Sequence, residues 1–346
     1  MPGGEVPGDP ETVTLPQLFR MAGRLSAADG PASAPGVLVE RARMLAEAVE
    51  RFRPDVVLIE HYPFSKWELE PEMRALIGAA RSASPGVRIV CSLRDIVRKT
   101  RYEDTALTPY EARVLDMLEG RFDAIVVHGD PAFTTLEQHF GRVADLPVPV
   151  HYTGFVVEVP APRPSPAPPW PYAVLSCGGG AGNGEFLVAS VQAFRGLSET
   201  GKLGAMRLVV FPAPFADTRQ AETLRAAARE APVELRAFSP EFAGWLAGAE
   251  LSVSRAGYNT AWQVVRAGTH GVLVPDPAMS DQEPRAERIA ELGLATVVPG
   301  RPLRVDAIAA GMEEAMTRRP ARSRLDLGGV AGTRAIVEKI GALRGR

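Results

Sequence analysis

The chain has 346 residues, long enough for two domains with cores of their own, and its two cysteines, Cys91 and Cys177, exclude a disulfide-stapled scaffold or a multi-cysteine zinc site. With 39 basic against 41 acidic residues and a net charge of −2, it lacks the electrostatic footprint of a general nucleic-acid binder. No apolar run approaches the ~20 residues of a membrane span, and MPGGEVPGDPET lacks the basic start and apolar stretch of a signal peptide, so a cytoplasmic location is expected.

Residues 1–36, rich in Gly, Pro, Ala and Ser, carry no strand–loop–helix unit and are expected to be irregular. Leu38, Ala42, Leu45, Val49 and Phe52 then recur at helical spacing up to Pro54 and lead into a β run, Asp55–Glu60. A helix starting at Pro71 with Met73, Leu76, Ile77 and Ala80 on one face precedes a strand at Arg88–Leu93. Thr108-Pro109-Tyr110-Glu111 is a capping box with proline at the first helical position, and its helix leads to a strand at Ala124–His128. Pro160–Pro171, with seven prolines in twelve positions, reads as a semi-rigid spacer. It separates a first domain, 1–159, from a second, 172–346, with 160–171 as the linker.

Beyond the spacer the alternation is regular. Strands are expected at Tyr172–Ser176, Met206–Phe211, Val233–Phe238, Leu251–Ser254, Gly271–Pro275 and Ala295–Val298. Between and after them fall helices at Glu185–Leu197, Thr218–Glu230, Pro240–Ala249, Asn259–Ala267, Pro284–Leu292 and Val305–Thr317, with Gly293 placed as a left-handed residue after the fifth. Strand–helix alternation with short connections implies right-handed crossovers and a doubly wound parallel sheet. The first domain gives the same signal fewer times.

Ligands of such sheets bind beyond the carboxyl ends of the strands, which singles out three stretches of the second domain. Ser176–Gly184 (SCGGGAGNG) can bring backbone N–H groups close to an anion, though it is neither a Walker loop nor a good dinucleotide fingerprint. Ser254–Thr260 (SRAGYNT) ends a strand and opens a helix around Gly257, so free N–H groups and the positive helix end face the crevice. Pro275–Ala286 (PDPAMSDQEPRA) is a polar loop suited to a hydroxyl-rich ligand. Taken alone, each stretch also reads as an ordinary loop or helix cap. In the first domain, Glu60-His61-Tyr62-Pro63-Phe64, Arg94-Asp95 and His128-Gly129-Asp130 follow the strands.

The Gly-rich loop, the SRAGxxT helix start and the later Q-x-x-(N/R)-A pattern together resemble the donor-binding C-terminal domain of family 28 glycosyltransferases. Phe122–Pro131, Tyr152–Val156 and Gln282–Arg288 are similar to a group of bacterial predicted glycosyltransferases, and the resemblance runs from about Val37 to Val298. It implies the GT-B architecture, two Rossmann-like domains facing a cleft, and metal-independent inverting transfer of a hexose-type sugar from a nucleotide-diphosphate donor, foremost a UDP-sugar, to a hydroxyl acceptor. No cofactor or metal is implied beyond the nucleotide-sugar co-substrate, and the acceptor is a small molecule, a lipid-linked compound or a glycan.

Carried over by motif, Arg255, Gly257, Tyr258 and Asn259 would lie at the diphosphate, with Gly178, Gly179 and Gly180 of the Gly-rich loop and Ser254 at the strand end as further donor-binding candidates. Gln282 meets the sugar hydroxyls, Phe238 lines the base pocket, and Gln263 stands where relatives usually have a ribose-binding glutamate. The general base is expected on the first domain's rim, at His61 or Asp95, with Asp130 behind them; Lys66 and Arg94 are candidates for binding acceptor or phosphate charge. Relatives open with a strand and a Gly-rich loop that find no counterpart in residues 1–36. Three alternatives follow: a shortened enzyme, a unit supplied by a partner chain or a second copy, and a non-catalytic nucleotide-sugar-binding subunit. A hydrolase or epimerase of the same fold, and attachment at the inner-membrane surface, are also left open.

Overall fold

The computed structural model describes residues 12–21, 24–96, 107–158, 168–178, 183–212, 218–229, 231–237, 239, 241–318 and 321–342. An antiparallel hairpin comes first, β1 (Leu18–Met21) with β2 (Arg24–Ala27). It lies within the stretch expected to be irregular, and α1 (Ala34–Phe52) likewise starts ahead of Leu38. The Arg41 guanidinium holds this region in place. It grips the buried Glu72 carboxylate at 2.7 and 2.8 Å and donates to the Pro16 carbonyl at 2.8 Å.

The first main sheet is parallel throughout, in the order β3 (Val56–Glu60), β4 (Arg88–Arg94), β5 (Ala124–His128), β6 (Val150–Tyr152). Connections run through α2 (Glu70–Ala83) and α3 (Pro109–Leu118), and the Thr108–Glu111 capping box forms in both directions. Strand β6 was not expected; its three residues are all half-buried, too short a pattern to stand out from the loop around it. Val57, Ile59, Ile89, Leu93 and Ile125 face a core shared with α2 and α3.

The second sheet has six parallel strands in the order β12 (Thr296–Val297), β11 (His270–Leu273), β10 (Leu251–Ser254), β7 (Tyr172–Ser176), β8 (Arg207–Phe211), β9 (Val233–Leu235). β7 and β10 are buried along their whole length, as central strands covered on both faces must be. Helices α4 (Gly184–Glu199) and α9 (Val305–Thr317) cover one face. α6 (Phe242–Gly248) and α7 (Tyr258–Ala267) cover the other, while α5 (Thr218–Ala228) and α8 (Gln282–Glu291) complete the alternation.

The final helix, α10 (Gly329–Ala342), departs from the expected boundary of the second domain. It packs on the first sheet, where Ile336 and Ile340 meet Val56, Val90, Ala124 and Val126. Two glycines permit this crossing. A Cβ on Gly329 would lie 2.4 Å from the Gly154 carbonyl oxygen, and one on Gly332 would lie 2.1 Å from that of Thr153.

Gly332→Ala therefore forces helix and backbone apart and is expected to cost about 1–3 kcal/mol, as overpacking does. Gly78→Ala is the control: that helical glycine has nothing within 4 Å, so alanine is expected to stabilise by about 0.5–1 kcal/mol. Denaturant midpoints of both variants check this pair of signs.

Candidate functional site

From β7 the chain runs outward through β8 and β9, then returns to start β10 on the opposite side of β7. Strand order reverses between β7 and β10, and the crevice outside their carboxyl ends is where open α/β sheets hold ligands. Ser176 and Ser254 end these strands as register partners. Both are buried, and neither hydroxyl has a hydrogen-bond partner. Ser190 and Ser252 share that state deeper in the core, so the lack of a partner gains meaning only at the strand ends.

Helix α7 begins beside them. Its N-cap, Gly257, makes no side-chain cap, and its first turn contains no acidic residue, so the N–H groups there and the positive end of the helix are not neutralised. Gly178, at φ +69, needs glycine's freedom, and a Cβ there would come within 3.9 Å of Thr260 Oγ1 on the first turn of α7. Gly257 is at φ −63 and ψ 146, a backbone any residue fits, and among the described residues a Cβ there would meet only Gln282 Nε2, at 4.0 Å. What its missing side chain preserves is open space.

The structure brings some of the expected donor residues to this crevice and diverts others. Gln282 is buried, and its Oε1 accepts from the Ala256 and Asp276 amides at 3.1 and 2.9 Å, which fixes its Nε2 near Gly257. Arg255 donates from Nε to Asn183 Oδ1 at 3.0 Å and from Nη1 to the Val274 and Pro275 carbonyls at 3.2 Å, its guanidinium lying over Phe186. Burial pushes its pKa down. Asn259 is exposed at the helix start, and Gln263 Nε2 reaches Glu158 Oε2 at 3.5 Å. Gly179, Gly180 and Phe238 lie outside the described residues. Tyr258 is turned away from the expected diphosphate side. Its hydroxyl donates to the His128 carbonyl at 2.8 Å and accepts from the Val156 amide at 3.0 Å, both in the first domain.

Asp95, expected on the rim as a base candidate, is instead buried between the domains. Arg285, fully buried on α8, donates from Nε to Oδ2 at 2.9 Å and from Nη2 to Oδ1 at 2.7 Å. Trp262 Nε1 donates to Oδ2 at 3.1 Å and the Ile96 amide to Oδ1 at 2.7 Å. Four donors use the four lone-pair directions of a carboxylate, leaving none for a substrate proton. Asp130 is also engaged: Oδ1 accepts from the Ala132 amide at 2.8 Å and Oδ2 from the Asp326 amide at 2.7 Å, anchoring the segment that leads into α10.

His61 remains at the rim. Its backbone sits at φ +64, a left-handed conformation uncommon outside glycine, and its amide donates to the Ser92 carbonyl. The half-buried ring has Nε2 4.0 Å from Glu60 Oε1. Burial holds its pKa below the usual histidine value, helped by Lys66 and Arg94 and opposed by Glu60 and by Asp281 of the second domain, so the ring is neutral at pH 7. Burial pushes Glu60 up, but Arg94, at 2.8 Å, and Lys66, at 3.6 Å, outweigh it and keep the carboxylate charged. Lys66 and Arg94 are thus already paired.

Trp262 and Arg285 were not assigned roles by pattern. Their spacing on α7 and α8 reads as ordinary helix faces, and the only signal was the arginine one turn beyond Gln282 in Q-x-x-R. Among the described residues, no group of three or more His, Cys, Asp or Glu side chains is placed to hold a metal ion, and no helix is long and apolar enough to cross a membrane.

Residues 214–325 match the glycosyltransferase family 28 C-terminal domain. Among solved structures, the chain is similar to the calicheamicin glycosyltransferase CalG4, with a TM-score of 0.56 and 20% identity over 89% of this chain and 79% of that one. It is similar also to MurG of Acinetobacter baumannii (TM-score 0.50, 17% identity, 93% and 83% covered) and to the glycosyltransferase VinC in complex with dTDP (0.50, 15%, 89% and 76%). At these identities the likeness is one of fold, the two-domain GT-B arrangement. No curated protein matches the sequence.

Next to the crevice, His128 gives a separate test of the structure. Ser92 Oγ lies 2.9 Å from its Nε2 and Thr153 Oγ1 3.0 Å from its Nδ1, and burial lowers its pKa to about 4. A folded pKa below the unfolded value of about 6.5 means the unfolded chain binds the extra proton. Its contribution to stability is complete above pH 6.5 and is lost as pH falls toward 4. Denaturant midpoints should drop over that interval, and His128→Asn should flatten the slope.

Proposed function

We propose, from a second domain that carries the family 28 glycosyltransferase C-terminal domain on a GT-B fold, that this chain is a transferase moving a sugar from a nucleoside-diphosphate donor to a hydroxyl acceptor. The observation that carries the reading is the uncapped, acid-free start of α7 at the strand-order reversal, beside two buried hydroxyls without partners, Ser176 and Ser254. A diphosphate supplies the negative charge that the free N–H groups and the helix dipole at the start of α7 favour. Gln282 Nε2, fixed by the two bonds to its oxygen, is the donor nearest the Gly257 space and suits a sugar hydroxyl. VinC, solved with dTDP, illustrates the ligand class on a similar fold.

In the proposed reaction His61 takes the proton of the acceptor hydroxyl, whose oxygen bonds to the anomeric carbon as the bond to the diphosphate breaks. Direct displacement inverts the anomeric centre. The leaving diphosphate gains negative charge, which the start of α7 stabilises without rearranging. The imidazolium formed at His61 is stabilised by the Glu60 carboxylate 4.0 Å away. A base whose pKa lies below 6.5 is in its active form at neutral pH.

A second reading, a nucleotide-sugar-binding subunit, is favoured by one observation. Strand β3 is an edge of its sheet among the described residues, with Leu58 45% exposed upon it. Turnover by the chain on its own decides between the two.

Calorimetry should detect binding of UDP or another nucleoside diphosphate, and Gly257→Trp should abolish it while the protein stays folded, because the backbone there tolerates any residue. No binding of any nucleoside diphosphate to the unaltered chain overturns the reading. His61→Asn, with a residue that also tolerates the left-handed backbone, should leave nucleotide affinity intact and lower kcat by about 10²–10⁴-fold. The rate profile of the unaltered chain should show its acid limb below pH 6.5.

A further inference from the structure

Arg285 does more than neutralise Asp95. Its Nη1 donates to the Ala256 carbonyl at 2.9 Å, while Gln282, one turn earlier on α8, accepts from the Ala256 amide at 3.1 Å. The peptide units on both sides of Ala256 are thereby held by side chains of one helix, and Ala256 lies between Arg255 and Gly257 at the mouth of the donor crevice. The other end of this chain of contacts is in the first domain: both nitrogens of the Arg285 fork that do not face Ala256 rest on Asp95, at the end of β4.

Around the pair the two domains share an aromatic core. Trp262 stacks on Phe155 with ring centres 3.5 Å apart and meets Phe133 edge-on at 4.8 Å. Arg288 reaches across to the Phe133 carbonyl at 3.1 Å.

We propose that Asp95 is a positioning residue for donor binding: held in the first domain, it fixes through Arg285 the 255–257 turn of the second, so that nucleotide affinity depends on the seating of the two domains. The inference rests on the donor reading above. It makes the crevice preformed, its backbone donors set by a contact on the far side of α7 from the ligand, and it gives the first domain a part in holding the donor without touching it.

Three variants test this. Asp95→Asn removes the charge at constant size. Arg285→Lys keeps a charge against Asp95 but loses the fork that spans Asp95 and Ala256. Asp95→Leu with Arg285→Met replaces the buried pair by apolar groups, an exchange that often preserves stability. In each variant that melts cooperatively, UDP affinity is measured by calorimetry well below the melting temperature, together with Trp262 emission. The expected result is at least tenfold weaker UDP binding in the folded variants, including any whose melting temperature equals that of the unaltered chain, with a shift in emission. A folded variant that binds UDP within twofold of the unaltered chain overturns the proposal and leaves the donor reading standing. Failure of the unaltered chain to bind any nucleoside diphosphate overturns the donor reading and this inference together.

Discussion

The architecture turns on the ion pair between Asp95 and Arg285. Removing a carboxylate and a guanidinium from water costs several kcal/mol for each ion, and their attraction offsets this only when geometry is good and the remaining donors and acceptors are satisfied. Here the carboxylate accepts four hydrogen bonds, two of them from Arg285, and the guanidinium's Nη1 serves the Ala256 carbonyl and Asp281 at 2.8 Å, so that four of its five N–H groups have named partners. Burial pushes the Arg285 pKa down, but Asp95 and Asp281 outweigh it and keep the cation charged. Loss of either partner strands a charge in an aromatic core, so the pair holds the domains in one arrangement more than it adds net stability.

That arrangement explains why so much of the SRAGYNT and QEPRAER stretches is turned away from the crevice. Tyr258, Trp262, Arg285 and Arg288 all reach the first domain. On the proposed reading, the face of α7 and α8 toward the donor is carried by the backbone at the start of α7, by Gln282, and by residues at the strand ends. One pair of helices would then serve two purposes on opposite sides. Sequence motifs there record both at once, which is why a motif match does not separate a donor-facing residue from a domain-facing one.

Much of the fold was legible because its signals are local. Gly293 does take a left-handed conformation just after α8, and the Thr108–Glu111 capping box closes as its residues require. The alternation of buried strands and one-sided helices placed every strand of the second sheet. What escaped was non-local or short. The 18–27 hairpin sits in a Gly- and Pro-rich stretch without a long periodic pattern, and β6 is too brief to show one. Asp95 followed a strand end, where a base candidate belongs, but its fate was set by an arginine 190 positions away, and no pattern within the first domain encodes that partner. His61 follows a strand end for the same positional reason, whereas its left-handed backbone could be seen only in the structure.

The crossing of α10 has a consequence for how the chain is made. Val90, Ala124 and Val126 lie on central strands of the first sheet, yet the helix that packs on them follows the entire second sheet in sequence. During synthesis that apolar face emerges from the ribosome early and stays uncovered while the entire second domain is translated. The first domain therefore cannot finish folding as a separate unit ahead of the second, as domains made in sequence generally do. The nascent protein carries an open flank until α10 arrives, and that flank is its exposed apolar surface while the second domain is being made.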